Sequence, residues 1–261
     1  MKKVSLSFGF IVIVGLLIIP NAFGFDQSHS LFDSVLKQHV VVNGPQSSVQ
    51  YGEIKKNPDQ LDSYIRELEA VSAGEFSGWT EPQQIAFLIN AYNALTIKLI
   101  LTKYPDLKSI KDLGGFFSGP WKVKFFTLFG EKHHLDHIEH ELLRVNYTEP
   151  RIHFALVCAS IGCPPLITEA YTGDRLDEQL NRSMISFLRD PERNRYDEAG
   201  NTLYLSSIFK WFSEDFTKVK PSVEAFVAPW ISDDKATQDL IAGEKVDVEY
   251  LDYDWSLNRS N

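Results

Sequence analysis

The feature that most constrains the fold is a long apolar segment, IAFLINAYNALTIKLILTKY, at Ile85–Tyr104. Thr80 and Gln83 precede it with the spacing of a capping box, so the segment is predicted to be a helix. Apolar side chains occur all round this helix, which is typical of a buried central helix rather than a surface one. Polar residues interrupt it, so its length alone does not predict a membrane span. We therefore expect the rest of the chain to pack around it.

Two amides, Asn90 and Asn93, lie three residues apart in this helix and share one face. Buried amides need hydrogen-bond partners. Two interpretations stay open: the amides tie down neighbouring backbone, or they face a binding site from below. On the second interpretation, both are candidate substrate-binding residues.

The first 24 residues have the pattern of a secretory signal peptide. Lys2 and Lys3 form a positive start, Val4–Ile19 is an uncharged apolar run, and Ala22 and Gly24 are the small residues that a signal peptidase requires. We expect cleavage after Gly24 and an exported protein, either periplasmic or secreted. The alternative is an uncleaved membrane anchor, because the run is close to spanning length.

The remaining chain, residues 25–261, is predicted to form a single globular domain. The whole chain has a net charge of −9, and loss of the leading lysines makes it more negative. Nucleic-acid binding needs a basic surface, so no nucleic-acid partner is expected. Helical periods alternate with short strand patterns, such as the predicted hairpins within 121–135 and 195–206. These patterns predict a helix-rich α+β fold with a small central sheet and a helical C-terminal extension.

The only two cysteines, Cys158 and Cys163, lie in the stretch RIHFALVCASIGCPPL at Arg151–Leu166. An oxidising compartment favours a structural disulfide between them. A loop this short removes little chain entropy from the unfolded state, so such a disulfide would stabilise the protein little. The alternative, a reactive thiol or a redox pair, therefore gains weight.

The segment Arg151–Cys158 is apolar on both faces and is predicted to be a central strand. Strand alternation places His153 on the face opposite Cys158. We therefore look for the partners of Cys158 elsewhere in the chain.

The helix predicted at Asp136–Tyr147, with Asp136 as its cap, supplies those partners. A helical period places Glu139 inside the apolar arc and His140 at its margin. Glu139 is then either a capping-box residue turned back on the backbone or a carboxylate directed inward. A charge in an apolar arc needs a partner, and His140 lies next to Glu139.

On the thiol hypothesis, Cys158 is the nucleophile, His140 the general base and Glu139 the group that orients it. The turn after Cys158 would supply backbone N–H groups to a developing oxyanion. Further polar positions are candidates for substrate contact: Asn90, Asn93, His153, Ser160 and Cys163.

A metal site is the third hypothesis, because His133, His134, His137 and His140 lie close together in the sequence. The order of these residues does not match HExxH, and the cysteines lack CxxC spacing. A solvated, histidine-rich hairpin and helix is the favoured interpretation, so neither a metal nor another cofactor is predicted.

Three separated segments, FLINAYNALTIK, LDHIEHELLR and PRIHFALVCASIGCPPL, together resemble the DUF547 family, whose function is unknown. The resemblance runs from Ser63 to Phe216 and implies that this stretch is the domain core. A cysteine with an Ile-Glu-His segment is also similar to what papain-like and transglutaminase-like thiol enzymes use. The histidine here precedes the cysteine, so this similarity implies either a distant relation to those folds with a permuted order or convergence. The positions that match the family motifs are Asn90, Asn93, Glu139, His140, His153, Cys158, Ser160, Cys163 and Pro164.

Two classes of function follow. The first is a thiol-dependent hydrolase or transferase that acts on an amide, a thioester or a thiol-containing small molecule or peptide. The alternative is a non-catalytic ligand-binding or protein-interaction module in which a Cys158–Cys163 disulfide shapes a pocket. Contact with a membrane is expected only through an uncleaved signal peptide, and the sequence leaves the oligomeric state open.

Overall fold

The computed structural model describes residues 24–115 and 119–260. The predicted signal peptide lies outside these residues, apart from Gly24. The fold belongs to the helix-rich α+β class, as predicted. The helices are α1 (Ser30–His39), α2 (Tyr51–Lys56), α3 (Asp59–Ala70), α4 (Ala73–Ser77), α5 (Glu81–Leu101), α6 (Arg144–Asn146), α7 (Leu176–Leu188), α8 (Ser207–Trp211), α9 (Ser213–Thr217), α10 (Val223–Ile231) and α11 (Lys235–Ala242).

The helix α5 is the centre of the fold. At its N-terminus, the Gln83 side chain accepts a hydrogen bond from the Thr80 N–H at 3.0 Å. This bond is one half of the predicted capping box. From Ile85 to Leu101 its residues are buried except for Lys98, which pairs with Asp62 of α3 at 2.6 Å. Of the described helices, α5 is the one long and apolar enough to cross a membrane, but it is packed inside the protein as a core helix.

The strands form three separate small sheets rather than the one central sheet predicted, because α5 occupies the centre. β1 pairs with β2 and β3 with β4 as antiparallel hairpins, while β6 pairs antiparallel with β5 and parallel with β7. The strands are β1 (Val40–Asn43), β2 (Gln46–Val49), β3 (Phe126–Leu128), β4 (Glu131–His133), β5 (Arg195–Asp197), β6 (Thr202–Ser206) and β7 (Asp247–Leu251).

Short helical turns replace part of the predicted secondary structure. The predicted strand at Arg151–Cys158 is wrong: Pro150–Phe154 is a 3₁₀ helix, and irregular backbone leads from it to Cys158. Pro150 suits the first position of a helix, and the Glu149 carboxylate accepts a hydrogen bond from the Arg151 N–H at 3.1 Å. The run was apolar on both faces because the segment is buried, and burial alone does not distinguish a strand from a short helix.

The C-terminal tail after β7 returns across the core instead of ending in solvent. Tyr51 of α2 donates a hydrogen bond to the Asn258 side chain at 2.7 Å. The N–H groups of Ile161 and Gly162 donate to the carbonyls of Ser256 and Asp254, both at 2.8 Å. The tail therefore runs beside the loop that joins the two cysteines.

Candidate functional site

The two cysteines are bonded to each other, and no free cysteine occurs in the chain. Cys158 is partly exposed, whereas Cys163 is only 2% exposed. The loop between them turns sharply at Ala159, which has a φ of 61°, a left-handed conformation that costs a non-glycine residue about 1–2 kcal/mol. Such strain is common at functional sites.

Two hydroxyl groups lie against the sulfur atoms. Ser160 Oγ is 3.1 Å from Cys158 Sγ and 3.2 Å from Cys163 Sγ. Tyr253 of the C-terminal tail places its hydroxyl 3.2 Å from each sulfur. Burial raises the pKa of Tyr253 well above its usual value, so this hydroxyl stays protonated and can donate a hydrogen bond. The sequence predicted Ser160 near the cysteines and missed Tyr253, which is 90 residues beyond Cys163.

The two helix amides hold backbone and do not line the cavity beside the cysteines. Asn93 donates to the Ala155 carbonyl and accepts from the Val157 N–H, both at 2.9 Å. Asn90 makes the same pair of bonds with the backbone of Tyr171, at 2.7 and 3.0 Å. These bonds agree with the interpretation in which the amides tie down neighbouring backbone. Asn93 positions the segment that leads into Cys158.

A cavity of about 190 Å³ opens beside the cysteine pair. The sequence-predicted residues Cys158, Cys163, Glu139, His140 and His153 all line it. The rest of its lining is Tyr92, Trp121, Asp136, Leu156, Pro164, Ile208, Trp211, Phe212, Tyr253 and Trp255.

Glu139 is a buried carboxyl group at this cavity. It lies in a π-helical segment, His137–Leu143, whose turns are wider than those of an α-helix, and π-helical turns are frequent at functional sites. Burial, together with the Asp136 carboxylate, raises the pKa of Glu139 to about 7, although Arg144 and the Tyr92 hydroxyl oppose this shift. Asp136 itself has helical backbone angles and makes no capping bond, so the prediction that it caps this helix is wrong.

His140 has a different partner from the one predicted. Its Nδ1 lies 2.9 Å from Nη1 of Arg144, and no hydrogen bond joins it to Glu139 among the described residues. An arginine can only donate, so this contact assigns the ring proton of neutral His140 to Nε2. Burial lowers the pKa of His140, which favours that neutral form. Neutral His140 can therefore donate a hydrogen bond from Nε2, but that nitrogen cannot accept a proton.

His153 lines the same cavity as Cys158 and does not point away from it, because the predicted strand is absent. Its Nε2 lies 2.8 Å from Oδ2 of Asp215. Its ring stacks on the Phe212 ring, with the two ring centroids 4.0 Å apart. Burial lowers the pKa of His153 even though Asp215 opposes this shift.

Asp215, which the sequence did not suggest, joins two sides of the site. Burial by itself would raise the pKa of Asp215, but hydrogen bonds from His153, Arg144 and Lys218 hold that pKa well below its usual value. Because Arg144 also contacts His140, one ionic network connects both histidines.

Apart from His140, the histidines of the metal hypothesis lie outside this network. His133 and His137 stack face to face with ring centroids 3.8 Å apart, and His137 contacts Glu141 at 2.9 Å. Within residues 24–115 and 119–260, no three His, Cys, Asp or Glu side chains are grouped so that they could hold a metal ion.

Fold and cavity together define a helix-rich α+β protein whose pocket contains a cysteine pair, a buried glutamate and two histidines. Residues 76–188 match the family model described as "Protein of unknown function, DUF547". This match supports the assignment to the DUF547 family that the motifs predict. No curated protein and no solved structure matches it.

The matched segment contains only part of the site. Glu139, His140 and the cysteines lie inside it, whereas Asp215, Trp211 and the tail residues Tyr253 and Trp255 lie beyond it. One wall of the cavity therefore comes from outside the family-matched residues.

Proposed function

We propose that this protein is an exported thiol-dependent hydrolase or transferase that acts on an amide or thioester of a small molecule or peptide. One observation carries the proposal: Cys158 lies in the wall of a cavity that it shares with a buried acid of raised pKa and two histidines. Perturbed titratable groups in a cleft are typical of catalytic sites.

The reaction requires the reduced form of the cysteine pair. A dithiol would supply two electrons and two protons, so that the S–S bond breaks, two thiols form and the dithiol leaves as its own disulfide. Cys158 is the better placed of the two sulfurs for attack on a substrate, because Cys163 is buried.

The hydrogen bond that His140 accepts from Arg144 and the raised pKa of Glu139 favour a change in the predicted roles. Glu139, with a pKa of about 7, is suited to accept the thiol proton near neutral pH. Cys158 Sγ would then form a bond to the acyl carbon, and the Nε2–H of His140 would donate to the developing oxyanion. Protonated Glu139 would return its proton to the departing amine or thiol as the C–N or C–S bond breaks. Water or an acceptor would release the acyl group, and the Cys158 thiol would be restored.

A second candidate is a non-catalytic ligand-binding or protein-interaction module with a permanent disulfide. The bond between Cys158 and Cys163 favours it, as does the close packing of Tyr253 and Ser160 on both sulfurs. On this hypothesis the pair shapes the cavity and never reacts.

Alkylation separates the two candidates. The purified protein is treated with iodoacetamide with and without a phosphine reductant, and each cysteine is mapped by mass spectrometry across pH 5–10. We expect Cys158 to react faster than Cys163 after reduction, and its rate to rise as Glu139, with a pKa of about 7, becomes ionised and able to accept the thiol proton. In Glu139→Gln that rise should be lost, because the amide cannot accept a proton.

Glu141→Gln is the matched control, since Glu141 is an exposed acid of the same helical segment. Its profile should equal that of the native protein. A disulfide that resists reduction in the folded protein, or a profile that Glu139→Gln leaves unchanged, would reject the thiol site in favour of the binding module.

Export is tested separately by fractionation and N-terminal sequencing. A mature protein that begins at Phe25 outside the cytoplasm is expected. A chain that retains its first 24 residues in a membrane fraction would support the anchor instead.

A further inference from the structure

Six of the fifteen described residues that line the cavity are Trp, Tyr or Phe. The Trp255 ring is central, with the rings of Tyr253, Trp121 and Trp211 at centroid distances of 4.5, 5.7 and 5.7 Å. Trp211 is 46% exposed, so it stands at the mouth of the cavity and can contact an entering molecule. Large exposed aromatic side chains beside a cavity are typical of ligand contact rather than of core packing.

The polar part of the cavity is acidic. Asp136 and Glu139 lie on adjacent turns of one helical segment, and no lysine or arginine belongs to the described lining. Arg144, which opposes the raised pKa of Glu139, lies outside this lining and is already bound to Asp215 and His140. An ionised Glu139 would thus have no cationic partner of its own inside the cavity, and a buried charge without a partner is costly.

Two of these rings already attract cations of the chain itself. The ammonium of Lys111 lies 3.7 Å from the centre of the Trp255 ring, and the Arg144 guanidinium lies 5.1 Å from that of Phe212. The faces of aromatic rings attract cations through the quadrupole of the ring. The exposed part of the Trp211 ring is available to a cation that comes from outside.

We propose that this cavity binds the alkylammonium group of an amine-bearing ligand, with the rings around its carbon atoms and Glu139 and Asp136 opposite its charge. The proposal rests on the proposed function in so far as this ligand is the substrate of Cys158. Binding itself does not require a free thiol, since the rings and carboxylates are in place in the disulfide form.

Choline and its uncharged isostere, 3,3-dimethylbutan-1-ol, test this proposal because they differ in charge and hardly in shape. Each is titrated at pH 8 into the purified, oxidised protein, and binding is followed by isothermal titration calorimetry and by tryptophan fluorescence. At that pH Glu139, with a pKa of about 7, is mostly ionised. We expect choline to bind at least about fivefold more tightly than the isostere.

Variants of the cavity residues test whether choline binds in this cavity. Glu139→Gln should weaken choline binding by about tenfold and leave the isostere unaffected, while the control Glu141→Gln leaves both unaffected. Trp211→Ala, a change at an exposed side chain, should weaken choline by at least about threefold. Circular dichroism and melting curves establish that each variant is folded.

Equal binding of choline and the isostere, absence of binding, or tighter binding of a neutral disaccharide would each overturn the proposal. Because this titration uses the oxidised protein, its failure leaves the alkylation result at Cys158 intact. Conversely, an unreactive Cys158 would reject the thiol enzyme and leave cation binding in place.

Discussion

The loop between the cysteines has room for the C-terminal tail only because residue 162 is glycine. A Cβ atom at Gly162 would lie 2.9 Å from Cδ1 of Tyr253 and 3.0 Å from the backbone nitrogen of Asp254. The second atom belongs to the backbone and cannot rotate away. Gly162→Ala should therefore push the tail, and the Tyr253 hydroxyl with it, away from the sulfurs.

Two routes lead to an estimate of the folding stability that Gly162→Ala loses. If the structure keeps its contacts, overpacking of this kind costs about 1–3 kcal/mol. If the tail moves away, the hydrogen bonds from Ile161 to Ser256 and from Gly162 to Asp254 are lost, at about 1 kcal/mol each. Both routes give a loss of about 2 kcal/mol, which lowers the melting temperature by about 4–8 °C for a domain of this size.

Thermal and urea unfolding followed by circular dichroism measure this loss. Gly52→Ala is the matched control, because its Cβ would lie 3.6 Å from the Tyr104 ring, an ordinary contact, within α2. Alanine in a helix should raise stability there by about 0.5–1 kcal/mol. The Gly162 variant should also be reduced faster by a phosphine, since Tyr253 no longer covers the sulfurs. A Gly162→Ala protein within about 0.5 kcal/mol of the native one would refute the argument.

Three further predictions concern the same region. Asn93→Ala leaves two buried backbone groups without partners, so unfolding should need about 2–5 kcal/mol less free energy, and an undiminished urea midpoint would contradict this. Ala159→Gly relieves the left-handed backbone and should raise the melting temperature by about 2–4 °C, whereas a decrease would contradict the strain argument. The folded-state pKa of Glu139 is raised from 4.5 to about 7, so Glu139 destabilises the folded state increasingly as pH rises from 4.5 to 7.5, by about 3 kcal/mol in all. Urea unfolding of the native protein and Glu139→Gln at both pH values should show the variant gaining that difference, while Glu141→Gln gains nothing.

Buried histidines also change the stability of the protein with pH, so the effect of Glu139 must be measured as a difference between variants. Burial lowers the pKa of His29 to about 4 and also lowers the pKa values of His140 and His153. A histidine that is buried in its neutral form adds stability as pH rises, which opposes the effect of Glu139. The difference between variants at each pH therefore isolates Glu139, whereas the absolute stability curve does not.

Local patterns predicted the elements that depend on neighbouring residues. The prediction of α5 from its apolar run and its Thr80–Gln83 capping pair is correct. Capping and burial on all sides can be read from residues that are only a few positions apart. The hairpins of β3 with β4 and β5 with β6 are correct for the same reason. The strand predicted at Arg151–Cys158 was wrong because buried irregular backbone is as apolar as a central strand. Asn93 satisfies two of its backbone groups, the Ala155 carbonyl and the Val157 N–H.

By itself, the sequence determined the central helix, the α+β class, the resemblance to the DUF547 family and the cysteine motif, because these depend on residues that are close together in the chain. The tertiary structure alone decided that His153 shares the cavity with Cys158, that Asp215 and Arg144 hold the histidines, and that Tyr253 covers the sulfurs. The last of these contacts joins residues 95 positions apart in the chain. Their side chains meet because the tail returns along the cysteine loop, past a glycine that leaves room for it, and no periodicity in one sequence records a contact of that range.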